Sequence, residues 1–279
     1  MKRLTPVLVV LVGLAAPTGA QAVSAVSSNW AGYVARPAAG RKLRSVSSTW
    51  VEPAVTCTAG HSSYSAIWVG LGGYSENAAG LEQIGTDADC NRSGQAIYST
   101  WVELLPNAPT ALSVKARPGE RITASVTVIG RDATLGLRNL TSGERTRRTV
   151  RVSALDTSSA EWIVEAPSEC FAENHCRALP LADFGTVAFT SATATLGART
   201  ATIDSGAWST TSLELQGTRA IFAGSFAQGV PPALALVVAT PSASSAADGA
   251  FTVAYSERRR EIQPREAPTL PGFTGGPPA

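Results

Sequence analysis

The chain has 279 residues, with 23 lysines and arginines, 21 aspartates and glutamates, and 44% hydrophobic residues. Two of the basic residues lie in the first 22 positions, so the remainder carries 21 basic and 21 acidic residues. This balance excludes a net positive field that would attract nucleic acid or anionic lipid. The length suits one all-β domain or two small ones, and the apolar content is enough for a sizeable core.

The N-terminus has the three parts of a secretory signal peptide. Lys2 and Arg3 form the basic part, residues 7–16 form the apolar part, and residues 20–22 (AQA) fit a cleavage site. The apolar part is too short to span a bilayer. We therefore expect residues 1–22 to be removed and the mature protein to be secreted, without further membrane association.

Short runs typical of β-strands follow along the chain, separated by Gly, Pro, Asn and Asp. They span residues 46–51, 65–71, 80–84, 96–105, 121–129, 134–140, 147–152, 160–166, 186–190, 192–203, 209–215, 220–222, 233–238 and 250–255. Residues 141–143 (TSG) predict a hairpin turn between two of these runs. No segment has the periodicity of a long amphipathic helix. The pattern predicts an all-β, jelly-roll-like sandwich of two antiparallel sheets.

The composition changes at the C-terminal end. Residues 257–261 are rich in arginine, and a Pro/Gly-rich run continues to Ala279. Such a segment has little apolar surface to bury. We expect residues 257–279 to form a disordered tail and residues 23–256 to form the folded domain.

The four cysteines are an even number in a chain predicted to be exported, which favours two disulfides. Three pairings are possible. We expect Cys170 and Cys176 to close a short loop, and Cys57 and Cys90 to tie two loops together. A zinc site is the weaker alternative, because only two histidines are available and neither has a familiar ligand spacing. We expect no metal and no cofactor.

Alternation along residues 160–166 separates an apolar row from a row with two carboxylates. Trp162 and Val164 point to one face, whereas Glu161 and Glu165 point to the other. An antiparallel strand with one solvated face explains these carboxylates, unless other strands bring matching groups to the same face.

The same alternation applied to neighbouring runs gathers further side chains on that face. A concave sheet would bring together Trp68, Gln83, Trp101, Glu103 and Glu165. Singly, the tryptophans are more often core residues, and the polar side chains are more often solvated surface. In combination they suit a groove for an extended polymer, either peptide or sugar.

Other catalytic patterns have little support. A serine triad needs a histidine near a serine and an acid, but His61 lies in a Gly/Ser loop and His175 lies among cysteines. The chain has neither a G-x-S-x-G nor an H-E-x-x-H motif. Residues 203–206 (IDSG) resemble the active-site turn of aspartic proteases, but the match occurs once and without a second lobe.

Five motifs stand in order along the chain. They are residues 28–32 (SNWAG), 68–72 (WVGLG), 81–87 (LEQIGTD), 101–103 (WVE) and 160–165 (AEWIVE). Together with residues 182–185 (ADFG), they resemble the glutamic peptidases of family G1, the eqolisins, over roughly residues 27–240. We expect a secreted, bacterial member of this family.

The resemblance implies a concanavalin-like sandwich of two curved sheets with a substrate groove on the concave face. It also implies an acid endopeptidase that pepstatin does not inhibit and that needs no cofactor. By motif position, Glu165 is the general base and acid, and Gln83 stabilises the oxyanion. Trp68, Trp101 and Glu103 match groove residues beside this pair.

Three positions depart from the fungal members. Gly72 and Ser99 stand where those proteins have aspartates, and Leu105 stands where they have a tyrosine. We expect Gly72 to lie at the substrate site and the departures to affect specificity. Polypeptides are the expected substrates, and a monomer is the expected state. Two alternatives remain: a carbohydrate-binding module or glycosidase that uses Glu103 and Glu165, or an inactive homologue that binds peptides.

Overall fold

The computed structural model describes residues 23–75, 78, 80–172, 175–221 and 233–259. The predicted signal peptide and residues 260–279 of the predicted tail lie outside this range. All regular secondary structure in the described part is β-strand. The same part contains no helix with the length and apolarity needed to cross a membrane.

Eighteen strands lie within the described residues. In chain order they are β1 (Val23–Ser27), β2 (Trp30–Arg36), β3 (Leu43–Val51), β4 (Ala66–Gly72), β5 (Leu81–Cys90), β6 (Ala96–Leu104), β7 (Thr110–Ala111), β8 (Arg121–Ile129), β9 (Asp132–Asn139), β10 (Arg145–Arg151), β11 (Ala160–Glu165), β12 (Ser168–Ala172), β13 (His175–Ala178), β14 (Thr186–Leu196), β15 (Arg199–Thr202), β16 (Ser209–Ile221), β17 (Ala233–Pro241) and β18 (Phe251–Arg259). Strands β12 and β13 form a separate hairpin, whereas the others share one hydrogen-bonded network.

The network folds into two facing layers. Its strand order is β10-β9-β8-β3-β14-β18-β17-β16-β2-β11-β4-β5-β6-β7, with β15 beside β14 and β1 beside β16. Strands β3, β8 and β9 of the first half pack against β4 and β5 of the second half. The predicted β-sandwich is therefore confirmed, although hydrogen bonding through β17 and β18 joins its two layers.

Period-two alternation builds the core between the layers. In β8, every second residue from Ile122 to Val128 is buried, and the threonines and serine between them are partly exposed. Trp50 and Trp162 are buried from opposite layers, with 1% and 0% of their surfaces exposed. Such large side chains bury extensive apolar surface, which stabilises the sandwich.

A second, smaller apolar cluster lies on the other face of the second layer. Its buried members are Val34, Ala66, Trp68, Leu81, Trp101, Ile163 and Leu213. Strand β11 contributes to both sides, because Trp162 and Val164 join the main core whereas Ile163 joins the smaller cluster. This is the alternation that the sequence predicts for β11, and it forms the floor of the site described below.

Several strand boundaries differ from those predicted. The runs 186–190 and 192–203 form β14 and β15, since β14 continues through Ser191 and the chain then reverses at Gly197, which has φ of 64°. The runs 209–215 and 220–222 join in β16 as far as Ile221, and residue 222 lies outside the described part. At the C-terminal end, β18 extends to Arg259 because β17 pairs with it, so the strand enters the segment predicted as tail.

The covalent and turn predictions are confirmed. Cys57 is bonded to Cys90, and Cys170 is bonded to Cys176. The second disulfide lies across the β12–β13 hairpin, and the first anchors the loop before β4 to the end of β5. The predicted turn at residues 141–143 connects β9 and β10, and its Gly143 has φ of 84°.

Candidate active site

A cleft of about 680 Å³ opens on the face of the second layer that points away from the core. Four of the five side chains predicted to share this face line the cleft: Gln83, Trp101, Glu103 and Glu165. The fifth, Trp68, has no exposed surface and lies beneath the cleft as part of the smaller apolar cluster.

Strand register explains why these side chains meet. Glu165 on β11 pairs with Ala66 on β4, which in turn pairs with Asp87 on β5. Gln83 lies four residues before Asp87 on the same strand and directly opposite Glu103 on β6. Paired residues in antiparallel strands share a face, and so do alternate residues of one strand. Gln83 and Glu165 therefore project from the same side of the sheet.

Two glycines make room for the indole of Trp68 between these positions. A Cβ at Gly85 would lie 2.6 Å from the Trp68 Cβ and 2.3 Å from the Ile67 carbonyl oxygen. A Cβ at Gly70 would lie 2.9 Å from the Trp68 ring. Contacts this short require the indole or the backbone to move. Gly70 and Gly85 thus fix the position of the indole N–H.

Donors surround the carboxylate of Glu165. Trp68 Nε1 donates to Glu165 Oε2 at 2.8 Å, and Asn29 Nδ2 donates to Glu165 Oε1 at 3.1 Å. Ser27 Oγ donates to the Asn29 amide oxygen at 3.3 Å, which turns the amide nitrogen toward Glu165. Each carboxylate oxygen therefore has one fixed donor, and the orientation of the group is determined.

Burial and these donors shift the pKa of Glu165 in opposite directions. Burial, the larger effect, raises its pKa to about 7, and the negative charge of Glu103 adds to the rise. The indoles of Trp68 and Trp30 and the Asn29 amide favour the charged form and lower the pKa. The Trp30 N–H acts without reaching hydrogen-bond geometry. The result is a carboxyl group that can both gain and lose a proton near neutrality.

Among the described residues, the side chain of Gln83 has a single hydrogen-bond partner. Its Nε2 donates to Glu103 Oε2, and only 5% of the residue surface is exposed. Its Oε1 is buried and accepts no hydrogen bond. A buried acceptor without a partner is costly, and an NH₂ group has a second hydrogen. Gln83 thus retains one donor and one acceptor for a bound molecule.

Two further aspartates line the cleft beyond this pair. Asp87 accepts hydrogen bonds from Ser99 Oγ at 2.6 Å and from Trp101 Nε1 at 2.7 Å. Asp89 accepts one from the Ser65 backbone N–H at 3.0 Å. Burial raises the pKa of Asp89 to about 7, with a smaller contribution from Asp87. The cleft therefore becomes more negative as the pH rises.

The comparison with known families agrees with this arrangement. A model described as the Peptidase A4 family matches residues 28–227, which is more than half of the chain and includes Gln83 and Glu165. The chain belongs to the Peptidase A4 family. These are the G1 glutamic peptidases, or eqolisins, so the resemblance in the motifs is confirmed.

Individual relatives support the same fold. Aspergillopepsin-2 of Aspergillus niger is 30% identical over 197 residues, which make up 62% of this chain and 66% of that protein. Scytalido-glutamic peptidase, solved with a transition state analog inhibitor, has a TM-score of 0.62 at 22% identity and covers 82% of this chain and 98% of its own. SCP-B, an eqolisin in complex with the tripeptide Ala-Ile-His, has a TM-score of 0.58 at 23% identity, with the same coverage.

Gly72 lies outside the cleft of this eqolisin, contrary to its predicted place at the substrate site. It ends β4 with φ of 83°, a conformation that glycine adopts readily. A Cβ there would lie 2.6 Å from the Asp156 Cβ and 2.8 Å from the Gly80 carbonyl oxygen. Gly72 therefore has a backbone role at the end of a strand. Of the other two positions that depart from the fungal members, Ser99 donates a hydrogen bond to Asp87, and Leu105 lines the cleft.

The sequence motifs contain Asn29, Trp30 and Asp87 but assign them no role at the site, and Asp89 lies outside the motifs. The two aspartates were within reach of sequence reasoning, because alternation from Gln83 places residues 87 and 89 on the same face of β5. Alternation does not place Asn29 at the site, because this residue precedes β2 and has no strand periodicity of its own. Only the packing of the β1–β2 junction beside the end of β11 brings its amide to Glu165.

Proposed function

We propose that the cleft hydrolyses peptide bonds, with Glu165 as general base and acid and Gln83 as the group that stabilises the oxyanion. One observation carries this proposal. A glutamate held by two side-chain donors and a glutamine with an unpartnered carbonyl oxygen line the same cleft, in a chain of the glutamic peptidase family.

The first step forms the tetrahedral intermediate. Ionised Glu165 accepts a proton from a water molecule, and the water oxygen bonds to the carbonyl carbon of the substrate. The electron pair of the C=O double bond moves to the oxygen, which becomes an oxyanion. Gln83 Nε2 uses one hydrogen for Glu103 and directs the other at this oxyanion, while Oε1 accepts a hydrogen bond from the water. One such oxyanion donor contributes about 2.7–4 kcal/mol.

The second step breaks the C–N bond. Protonated Glu165 delivers its proton to the amide nitrogen, the oxyanion reforms the carbonyl group, and the amine leaves. Glu165 ends the cycle ionised, as it began. A pKa of about 7 makes both of its forms accessible in weakly acidic solution. A neutral amide at position 83 keeps its donor at every pH and adds no negative charge beside Glu165.

The substrate we propose is an extended polypeptide. The cleft is open, and aromatic and apolar side chains such as Trp30, Trp101 and Leu105 lie along it beside the polar pair. SCP-B, which shares the fold, holds a tripeptide in its complex. The signal-peptide pattern and the two disulfides support secretion of the enzyme.

The test is digestion of denatured casein in acidic solution with pepstatin present. We expect the wild-type protein to release peptides and Gln83→Ala to reduce the rate by about 10²–10³-fold, the typical cost of one oxyanion donor. Glu165→Gln removes the general base and should lower the rate by about 10²–10⁴-fold. Glu257→Gln makes the same chemical change at an exposed position of β18 and should keep the wild-type rate.

Three outcomes would contradict the proposal. A folded Glu165→Gln protein that digests casein at the wild-type rate removes the assignment of the base. Release of sugar from polysaccharides without release of peptides favours a glycosidase that uses Glu103 and Glu165. Saturable binding of peptides without hydrolysis by the wild-type protein favours an inactive homologue.

A further inference from the structure

Charge is distributed unevenly over the two layers. Residues 115–151, which include β8, β9 and β10, contain nine of the 23 basic residues and three of the 21 acidic ones. In contrast, the cleft on the other layer is lined by the carboxylates of Asp87, Asp89, Glu103 and Glu165, and by no lysine or arginine from the described residues. A chain with almost no net charge thus has an acidic side and a basic side.

The basic side contains a groove. It has a volume of about 380 Å³ and lies on the surface of β8, β9 and β10 that faces away from the core. We call it the arginine groove, and its lining includes Ser125, Thr127, Gly136, Arg138, Arg145 and Arg147. The lining also includes Thr123, Thr134 and Thr146, and it contains no aromatic and no acidic side chain.

Strand register builds this groove. Arg138 on β9 lies directly opposite Arg145 on β10, and Gly136 lies opposite Arg147. On its other side Gly136 pairs with Ser125 of β8. A Cβ at Gly136 would have the Ser125 Oγ as its nearest neighbour, at 3.5 Å, so space remains above this residue. Because Gly136 has no side chain, the floor of the groove is open at this residue. Guanidinium groups of β10 lie on one side of the floor, and hydroxyl groups of β8 lie on the other.

The three groove arginines have no acidic partner within the described part of the chain. The acidic residues of this region have other contacts: Glu120 accepts a hydrogen bond from an asparagine, Glu144 accepts one from a backbone N–H, and Asp132 lies 3.8 Å from Arg151. Like charges placed directly across a strand pair repel each other. The arginine groove therefore presents concentrated positive charge that nothing in the described chain neutralises.

Protection of the sheet edge explains part of this pattern. Charged side chains on an edge strand discourage pairing with another chain, and β10 is an edge strand. Edge protection does not explain the arginine at position 138, because β9 is an interior strand paired on both sides. It also does not explain why hydroxyl side chains and an open floor accompany the arginines.

We propose that the arginine groove binds an anionic polysaccharide. Guanidinium groups pair with carboxylates in a two-pronged geometry, and serine and threonine hydroxyls match sugar hydroxyls as both donors and acceptors. The groove lacks the aromatic platforms on which single-stranded nucleic acids stack, and it lacks the apolar anchor pocket of a typical peptide site. Because the cleft lies on the opposite layer, the two sites can be occupied together.

The experiment is affinity electrophoresis of the full-length protein through gels with polygalacturonate, at about pH 6 where the carboxyl groups of the polymer are ionised. We expect strong retardation at low salt that weakens as salt is added. Arg145→Gln combined with Arg147→Gln should weaken binding at least about tenfold, as the loss of two charge-assisted contacts requires. The matched control, Arg41→Gln combined with Arg199→Gln, makes the same charge change on exposed residues away from the groove and should keep wild-type retardation.

Several results would overturn the proposal. Equal loss of binding in both double variants would mean that net charge, and not the groove, causes retardation. Equal retardation by neutral dextran would remove the role of the carboxylates. Tighter binding of single-stranded DNA through the same two arginines would assign the groove to a phosphate polymer. Thermal unfolding of each variant shows whether it is folded, and none of these readouts depends on peptidase activity.

Discussion

Two glutamates on the same strand show how surroundings decide chemistry. Glu161 and Glu165 lie four residues apart on β11 and project from the same face. Glu161 has no exposed surface, and neither of its carboxylate oxygens has a hydrogen-bond partner in the part of the chain that the structure describes. Glu165 has a fixed donor on each oxygen and lines the cleft.

The difference appears in their proton affinity. Burial raises the pKa of Glu161 well above its ordinary value, the nearby Ser159 hydroxyl lowers it without reaching hydrogen-bond geometry, and the charges of Asp156 and Glu82 raise it further. Burial also raises the pKa of Glu165, but the donors limit the value to about 7. The buried Glu161 carboxyl, which has no donor in hydrogen-bond geometry among the described residues, keeps its proton, whereas the Glu165 carboxyl, which has two, exchanges its proton near neutral pH. Only a carboxyl of the second kind serves as a general base.

The largest expected effect concerns the stability of the fold at different pH values. In the unfolded chain Glu161 releases its proton above about pH 4.5, whereas in the folded protein it retains the proton. The folded state then binds more protons, so stability is greatest below that pH and falls as the pH rises. Glu52, buried in the core with its pKa raised by burial to about 8, acts in the same direction. Each such group contributes a slope of about 1.4 kcal/mol per pH unit.

Urea unfolding of Glu161→Gln at several pH values measures this contribution. The free energy of unfolding should fall less steeply with pH in Glu161→Gln than in the wild-type protein, by about the slope of one group. Peptidase activity in acidic solution should stay near the wild-type value, unlike that of Glu165→Gln. Identical slopes in the two proteins would show that Glu161 ionises freely in the folded state, and the comparison between the two glutamates would fail.

A smaller effect is expected when Glu165 loses its principal donor. Trp68→Phe removes the N–H that favours the ionised carboxylate, so the pKa of Glu165 rises and less of the base form is present in acidic solution. Hydrogen bonds to charged groups contribute about 1.5–3 kcal/mol, so activity should fall roughly tenfold or more on the acidic side. The acidic limb of the profile of kcat/KM against pH should move to higher pH.

The matched control for this prediction is Trp162→Phe. Trp162 is also fully buried, but it donates to the Ser47 carbonyl oxygen in the main core and does not touch the cleft. Its variant should lose stability without a shift of the pH profile. If Trp68→Phe also leaves the profile in place, the indole serves only to pack the floor of the cleft.

The smallest effect is expected for Asn29→Ala. Its hydrogen bond to Glu165 is longer, at 3.1 Å, and it lowers the pKa of Glu165 less than the two indoles do. We expect kcat/KM to fall several-fold and the acidic limb to shift less than in Trp68→Phe. Asn91→Ala, in the β5–β6 turn, is the control for loss of an amide elsewhere. A larger shift for Asn29→Ala than for Trp68→Phe would reverse the order of the two donors.

Much of the fold follows from the sequence. Period-two alternation in strands such as β8 and β11 predicts which residues face the core, because a strand with one buried face must repeat every two residues. The same alternation places Gln83 and Glu165 on one face. Alternation cannot specify strand order, and therefore it did not predict that β17 and β18 join the two layers. It also did not predict that β14 continues through Ser191.

The chain by itself determined the types of side chain at the site and the face to which each points, because those depend on local backbone geometry. Tertiary structure decided which of them have partners. It buries Trp68 beneath the cleft and places Gly72 outside the cleft. It also brings Asn29 to Glu165 across 136 residues of sequence. Proton affinity depends on such contacts and on burial, both of which exist only after distant strands have packed together. For this reason the sequence alone does not distinguish Glu161 from Glu165 by their proton affinities, whereas the folded protein does.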